Sequence, residues 1–296
     1  MTIRDAAGAT DTGHKRRRNE DAYVCEPPLF AVADGMGGHQ AGEVASRIAA
    51  AALREHIEPA GGPEHVEALI REANRRIWQH SLEDVSASGM GTTVTVALVE
   101  DDRVTIGHVG DSRAYLVRDR RIEQLTDDHS LAAELERSGK LSAEEARAHP
   151  QRSVITRALG TEPDVEIDTF TLEGRPGDLY LLCSDGLSSM VEDAEILEVL
   201  EGRRGSLDTA ARELVRAANR SGGEDNITVV CFELGAEGDA EPAREIGADE
   251  DTLDGTVPVV LEPAPPEKRA SRTPAWLIAL PILLAVAGLI LWAVAR

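Results

Sequence analysis

Phe30-Ala31-Val32-Ala33-Asp34-Gly35-Met36-Gly37-Gly38-His39 is the stretch from which the fold is read. Four apolar residues in a row predict a short buried strand. The run stops at an acid, Asp34, with glycines at 35, 37 and 38. Glycine lets the backbone turn tightly and come close to a ligand, because no Cβ stands in the way. An acid at the mouth of such a strand suits a hard divalent cation bound through oxygen. A β-turn after a strand carries the same residues, so the stretch alone leaves both readings open.

Working outward, the same punctuation returns. Helical stripes are expected over 41–57 (Val44, Ile48, Leu53) and again through Val66, Leu69, Ile70, Ala73 and Ile77. Strands are expected at 92–99, 104–109 and 113–117, read as three consecutive strands of one antiparallel meander, with a further hairpin into 122–125. Asp111 sits in the Gly-Asp-Ser turn between the second and third of them. Residues 127–160 change to short polar helices and read as an inserted flap; Ser142 with Glu145 is a capping box that starts a helix over 143–149. Strands follow at 165–172 and 179–184. The second ends in Ser184-Asp185-Gly186, and Glu224-Asp225-Asn226 leads into a last strand at 227–232. Near the start, His14-Lys15-Arg16-Arg17-Arg18-Asn19-Glu20-Asp21 packs cations against acids. It is either a solvated charge run or an arginine placed to hold a phosphate beside metal-facing acids.

The formal net charge of -22 argues against a nucleic-acid binder working through a basic surface. Cys25, Cys183 and Cys231 are widely spaced and form no zinc-type pair, so they read as buried thiols of a reducing compartment. The N-terminus has no apolar core of a secretory signal. Residues 236–273, rich in Glu, Asp, Pro, Gly and Ala, read as a disordered linker in which Thr252 and Thr256 are candidate phosphorylation sites. Residues 274–295 are uncharged and overwhelmingly apolar, with Trp276 and Trp292 near the ends. Such a run has the length of a membrane helix. Lys268, Arg269 and Arg272 before it place the large N-terminal part in the cytoplasm by the positive-inside bias. The expectation is a single-pass anchor in the cell membrane.

Five carboxylates, Asp21, Asp34, Asp111, Asp185 and Asp225, thus stand at strand edges or glycine turns. Clustering them requires cations, since like charges a few ångströms apart repel. An all-oxygen set selects Mg2+ or Mn2+. Whether they converge is beyond pattern reading.

RRRNED, VADGMGGH, GMGTTVTVALV, HVGDSRAYLVRD, the 126–160 segment, LYLLCSDGLSSMV and GEDNITVV stand in the order and spacing of the metal-dependent protein phosphatase 2C (PPM-type) family. The chain resembles its bacterial serine/threonine phosphatases over about residues 3–234. The resemblance implies an α+β fold, a four-layer αββα sandwich of two antiparallel sheets flanked by helices, over a domain of residues 1–235. It implies hydrolysis of phosphoserine or phosphothreonine on proteins by a hydroxide bridging a binuclear Mn2+ or Mg2+ centre. Asp34, the Gly35 carbonyl, Asp21, Asp185 and Asp225 would hold the two ions. Asp111 with Asp185 would hold a third, weaker one. Glu20 and Asn226 would support these ligands, and Arg16, five residues before Asp21, would bind the phosphate. Eukaryotic members carry a histidine, proposed as general acid, where this chain has Met36. His39 is then the nearest imidazole, with plain packing as its alternative. The implied partners are phosphorylated proteins, namely serine/threonine kinases at the membrane and their substrates, and no nucleic acid. Two rivals are a membrane-tethered binding module that shields phosphosites without cleaving them, and a metallohydrolase of small phosphate esters or nucleotides. No glycine-rich phosphate loop supports nucleotide use.

Overall fold

The computed structural model describes residues 1–37, 41–55, 62–84, 87 and 89–236. His39, the linker beyond Ala236 and the apolar run 274–295 lie outside the described residues. Among the described residues no helix is long and apolar enough to cross a membrane.

Two antiparallel sheets face each other. One runs in the order β1 (Thr2–Asp11), β11 (Ile227–Gly235), β10 (Leu179–Cys183), β7 (Arg113–Arg118), β8 (Arg121–Gln124). The other runs β2 (Asp21–Glu26), β3 (Leu29–Met36), β5 (Val94–Glu100), β6 (Arg103–Val109), β9 (Asp168–Glu173), with the two-residue β4 (Gly91–Thr92) on the end of β3. The unbroken apolar runs have a physical cause, because central strands are covered on both faces. Along β3, Leu29, Ala31 and Ala33 pack under α1 (Ala41–Glu55) and α2 (Gly62–Glu83), while Phe30 and Val32 point between the sheets. Along β10, Leu179, Leu181 and Cys183 pack against α6 (Asp193–Gly202) and α7 (Leu207–Arg220), while Tyr180 and Leu182 point inward. Side chains alternate faces along a strand, so both faces here demand apolar residues. Between the sheets Phe30 stacks on Phe232 at 4.2 Å between ring centres, and Tyr180 stacks on the same ring at 4.9 Å. The result is helices, sheet, sheet, helices, as the resemblance implied.

The meander expectation is corrected. β5 and β6 form a hairpin, but β7 belongs to the opposite sheet, where it pairs with β10 and β8. The crossing is made by Gly110-Asp111-Ser112. Gly110 has φ of 116°, and a Cβ there would meet Thr93. The Ser112 hydroxyl bonds that of Thr93 at 2.7 Å, and its carbonyl accepts from the Thr95 hydroxyl at 2.9 Å. The turn therefore fastens one sheet to the other. Pattern reading also passed over β1, β2 and the one-turn α5 (Asp185–Ser188), whose residues alternate too weakly to announce themselves.

The flap contains α3 (Leu131–Arg137) and α4 (Ala143–Arg147). The expected capping box closes α4: the Glu145 N–H donates to the Ser142 hydroxyl at 3.3 Å, and the Glu145 carboxylate accepts from the Ser142 N–H at 2.8 Å. Both roots of the flap are tied down. The Leu131 N–H donates to the Val154 carbonyl, the Thr156 N–H to that of His129, and Leu159 exchanges both bonds with Thr92.

Candidate active site

The five aspartates come from five different places and meet at one rim of the sandwich. Asp21 opens β2 and pairs directly with Asp34 near the end of β3. Asp111 sits in the sheet-to-sheet crossing, Asp185 is the first residue of α5 after β10, and Asp225 lies two residues before β11. Burial, together with the mutual repulsion of Asp21, Asp185, Asp111 and Asp225, holds the Asp34 carboxyl well above the usual range. Burial is also the main cause at Asp111, pushed up to about 8, at Asp21, to about 7, and at Asp185, to about 6; neighbouring carboxylates add to each shift.

Two hydroxyls single out one oxygen of Asp21. Ser184 and Thr228 donate to Oδ2 at 2.9 and 2.6 Å. Since the Thr228 proton points at Asp21, Thr10 donates to Thr228 at 2.7 Å, and the Asn19 amide donates to Thr10 at 2.8 Å. The other oxygen, Asp21 Oδ1, is buried with no partner among the described residues, and so is Asp185 Oδ1. Buried polar atoms are ordinarily satisfied. Two orphaned carboxylate oxygens amid like charges fit a hard cation, whose charge would also lower these raised pKa values. Among the described residues no three His, Cys, Asp or Glu side chains close around a point as a cage. Mg2+ does not need one, because it keeps several waters and takes only one or two carboxylates. The donor set therefore fits Mg2+ or Mn2+ and offers nothing to a soft metal.

The Gly35 backbone is wedged into this rim. Its N–H donates to the Glu20 carbonyl at 3.1 Å, and a Cβ would collide with the Glu20 and Gly42 carbonyls. Glu20 contributes through its backbone, which also accepts from the Ser46 hydroxyl at 2.6 Å; burial raises the pKa of its side chain, with Arg16 opposing. Arg16 lies in the loop between β1 and β2, and its Nη2 donates to Asp225 Oδ2 at 2.6 Å while the side chain stays 53% exposed. Burial works against its charge, but Asp225 outweighs burial and raises its pKa. A half-exposed guanidinium at the edge of an acid cluster can take an anion by two parallel bonds.

Sequence reading missed Ser184, Thr228 and Thr10, although each is a hydroxyl in an otherwise apolar stretch, the only signal they gave. It also missed a polar knot at the flap root. The His129 N–H donates to the Gly110 carbonyl at 2.7 Å, and the Gly110 N–H donates back to His129 Nδ1 at 3.1 Å. That fixes Nε2 as the protonated nitrogen, 3.1 Å from Asp168 Oδ2. Arg157 donates to the other Asp168 oxygen at 3.1 Å. Asp128, beside His129, takes Arg113 bidentately at 2.9 and 2.7 Å.

The protein phosphatase 2C family model matches residues 12–225. The chain is 42% identical over 236 residues to the serine/threonine phosphatase stp of Listeria monocytogenes, covering 76% of this chain and 93% of that one. Its fold superposes with a TM-score of 0.75 on the crystal structure of the Mycobacterium tuberculosis serine/threonine phosphatase PstP/Ppp, at 42% identity, covering 78% of this chain and 99% of that one. A PstP catalytic domain in complex with two manganese ions gives a TM-score of 0.73 at 40% identity, over 78% of this chain and 98% of that one. The fold and these likenesses are thus those of a protein-serine/threonine phosphatase. The chain belongs to the protein phosphatase 2C family.

Proposed function

We propose that Asp34, the Gly35 carbonyl, Asp21, Asp185 and Asp225 hold two Mn2+ or Mg2+ ions for the hydrolysis of phosphoserine and phosphothreonine on proteins. Asp111, with Asp185, is proposed to hold a third, weaker one. The observation that carries this reading is the rim itself: carboxylates that raise one another's pKa, with orphaned oxygens on Asp21 and Asp185. A PstP catalytic domain in complex with two manganese ions supports it. When bound, the ions supply charge neutralisation and an activated water. The chain's own residues do the rest. Arg16 grips the phosphate oxygens and turns phosphorus toward the rim, paying for this by loosening its bond to Asp225. Ser184 and Thr228 hold one oxygen of Asp21, so that only the buried Oδ1, unpartnered among the described residues, is left for a cation. His39 is proposed as the acid for the leaving alkoxide.

The test is phosphate release from a phosphothreonine peptide by the detergent-solubilised full chain, with Mn2+ and then with EDTA. Release that needs the metal and vanishes in Asp185→Asn supports the reading. Peptide binding without release would favour the shielding module instead.

We further propose that residues 274–295 anchor the chain in the cell membrane with residues 1–235 in the cytoplasm, where they oppose serine/threonine kinases. The apolar run and the basic residues before it support this. A chain ending at residue 273 should move from the membrane fraction to the soluble one; unchanged sedimentation would sink the idea.

A further inference from the structure

The turn before β11 carries a side chain whose hydrogen bonds run to a backbone loop and to none of the five aspartates. Asn226 is 4% exposed and uses its amide three times. Its Nδ2 donates to the Thr12 carbonyl at 2.9 Å and to the Arg18 carbonyl at 2.8 Å, and its Oδ1 accepts from the Glu20 N–H at 2.8 Å. All three partners are backbone groups of one loop, residues 12–20, and Arg16 lies inside the span they bracket. A primary amide has two donors and one two-lone-pair acceptor, so both protons are committed to this loop.

The same turn holds the loop from below. The Gly223 carbonyl accepts from the His14 and Lys15 N–H groups at 2.7 and 3.1 Å. Gly13, at φ of 75°, lies so close to the Asp225 carbonyl that no Cβ fits. Asp225 itself receives the Arg16 guanidinium. The loop is therefore moulded onto Gly223–Asn226, with Asn226 bridging both of its ends.

We propose that Asn226 is a positioning residue for phosphate recognition, acting through Arg16. Its side chain fixes the height and direction of the Arg16 guanidinium by clamping the loop on either side, while only its backbone N–H reaches a proposed metal ligand, donating to Asp225 Oδ1 at 2.8 Å. This rests on the reading of Arg16 as the phosphate grip. Without the amide, two part-buried carbonyls and one part-buried N–H lose their partner, and such groups turn to water at the expense of the loop's shape. The guanidinium then samples many positions, and its pre-organised bidentate geometry is lost.

The test is a double-mutant cycle on the full chain with Asn226→Ala, Arg16→Ala and the pair. The readouts are KM and kcat on a phosphothreonine peptide, inhibition by inorganic phosphate, and Mn2+ affinity by calorimetry. Asn226→Ala should raise KM and the phosphate inhibition constant together by about tenfold, roughly one charge-assisted hydrogen bond. kcat and Mn2+ affinity should change far less. In the Arg16→Ala background Asn226→Ala should add nothing, since residues that act through one another are not additive. Full additivity, or a loss of Mn2+ affinity as large as the loss of phosphate binding, would overturn the proposal. Where Asn226→Ala fails to fold, Asn226→Asp keeps the shape and the bond from Glu20 but loses both donations, and the same non-additivity is expected. The cycle is also read on the dissociation constant of the phosphopeptide, so a wild-type chain that binds without turnover would sink the enzymatic mechanism while still testing Asn226.

Discussion

Asp21 and Asp34 face each other on the same rung of the β2–β3 ladder. Strand pairing, which stabilises the sheet, thereby forces two carboxylates together, and Asp111, Asp185 and Asp225 close in from the other elements. Without a cation the rim is a site of stored repulsion.

That repulsion fixes a pH dependence. Asp111, Asp21 and Asp185 stand at about 8, 7 and 6 in the fold, above the ordinary carboxylate value, and Asp34 is raised as well. A group whose folded pKa is raised contributes its full stability below its unfolded value and loses it as pH rises through the folded value. Buried His108, lowered to about 4 by desolvation and by His129, works in the opposite sense, but only below its ordinary value near 6.5. Between pH 6.5 and 8.5 the carboxylates dominate. The thiols of Cys25, Cys183 and Cys231, also raised by burial, push in the same direction toward the upper end. In EDTA, the melting temperature of the domain should fall across that window by several degrees, on the order of 2–4 °C for each kcal/mol lost. Saturating Mn2+ should remove most of the slope. A metal-free melting temperature that is flat or rises with pH would contradict this account of the rim.

Asp34→Asn separates function from stability. The amide keeps the shape but removes the charge at the most crowded position, so the metal-free domain should melt higher than wild type at pH 8. Phosphate release should fall by at least about a thousandfold, since several kcal/mol of charge stabilisation depend on this carboxylate. Paired melting and turnover measurements check both halves. Lower stability together with retained activity would mean that Asp34 is a structural acid.

How much of this was legible in the sequence depends on which residues carried a pattern. The buried strands β3 and β10 announced themselves as apolar runs stopped by Asp-Gly, and α1 and α2 as helical stripes, because each is decided by local burial. Assigning β7 to the meander failed because a three-residue turn within one sheet and a three-residue crossing between sheets look alike. The contacts of Thr93 and Thr95 to Gly110 and Ser112 distinguish them, and these are long-range. The five aspartates could be nominated one by one from their strand ends. Their convergence could not, since it depends on how the two sheets stack. Asn226 was nominated beside the metal ligands because it adjoins Asp225, whereas its side chain bonds run to residues 12–20.

Gly35 tests the packing of the rim independently of charge. A methyl group there would run into the Glu20 carbonyl, which the Gly35 N–H and the Ser46 hydroxyl hold in place, and the Gly42 carbonyl in the first turn of α1, and neither can easily swing aside. Overpacking of this kind costs about 1–3 kcal/mol or more. Gly35→Ala should lower the denaturation midpoint and weaken Mn2+ binding, because the Gly35 carbonyl is displaced with the strand end. Gly177, with φ of 89° but nothing within 4 Å of a built Cβ, is the control. Gly177→Ala should carry only backbone strain and leave Mn2+ affinity at the wild-type value. Equal effects of the two substitutions on the metal would refute the argument from close approach.

His129 joins the flap to the rim through chemistry that an ordinary loop root would not need. Its backbone and its Nδ1 both engage Gly110, next to Asp111, while Nε2 reaches Asp168, to which Arg157 at the far end of the flap is also bound. The imidazole is 2% exposed, so its bonds cannot be replaced by water without opening the site. In His129→Ala the Gly110 N–H and an Asp168 oxygen lose their partners. The expected cost is about 1–3 kcal/mol for the buried Gly110 N–H left unsatisfied, whereas the Asp168 carboxylate, 44% exposed, can turn to water. The loss should be local. Amide hydrogen exchange should quicken through residues 128–157, which open as a unit, while β3, β5 and β10 exchange as in wild type. His129→Gln, which keeps an acceptor and a donor on one side chain, should recover part of the protection. Uniform acceleration across both sheets would instead mean that His129 supports the whole core, and no acceleration at all would mean that the flap is held by its backbone bridges alone.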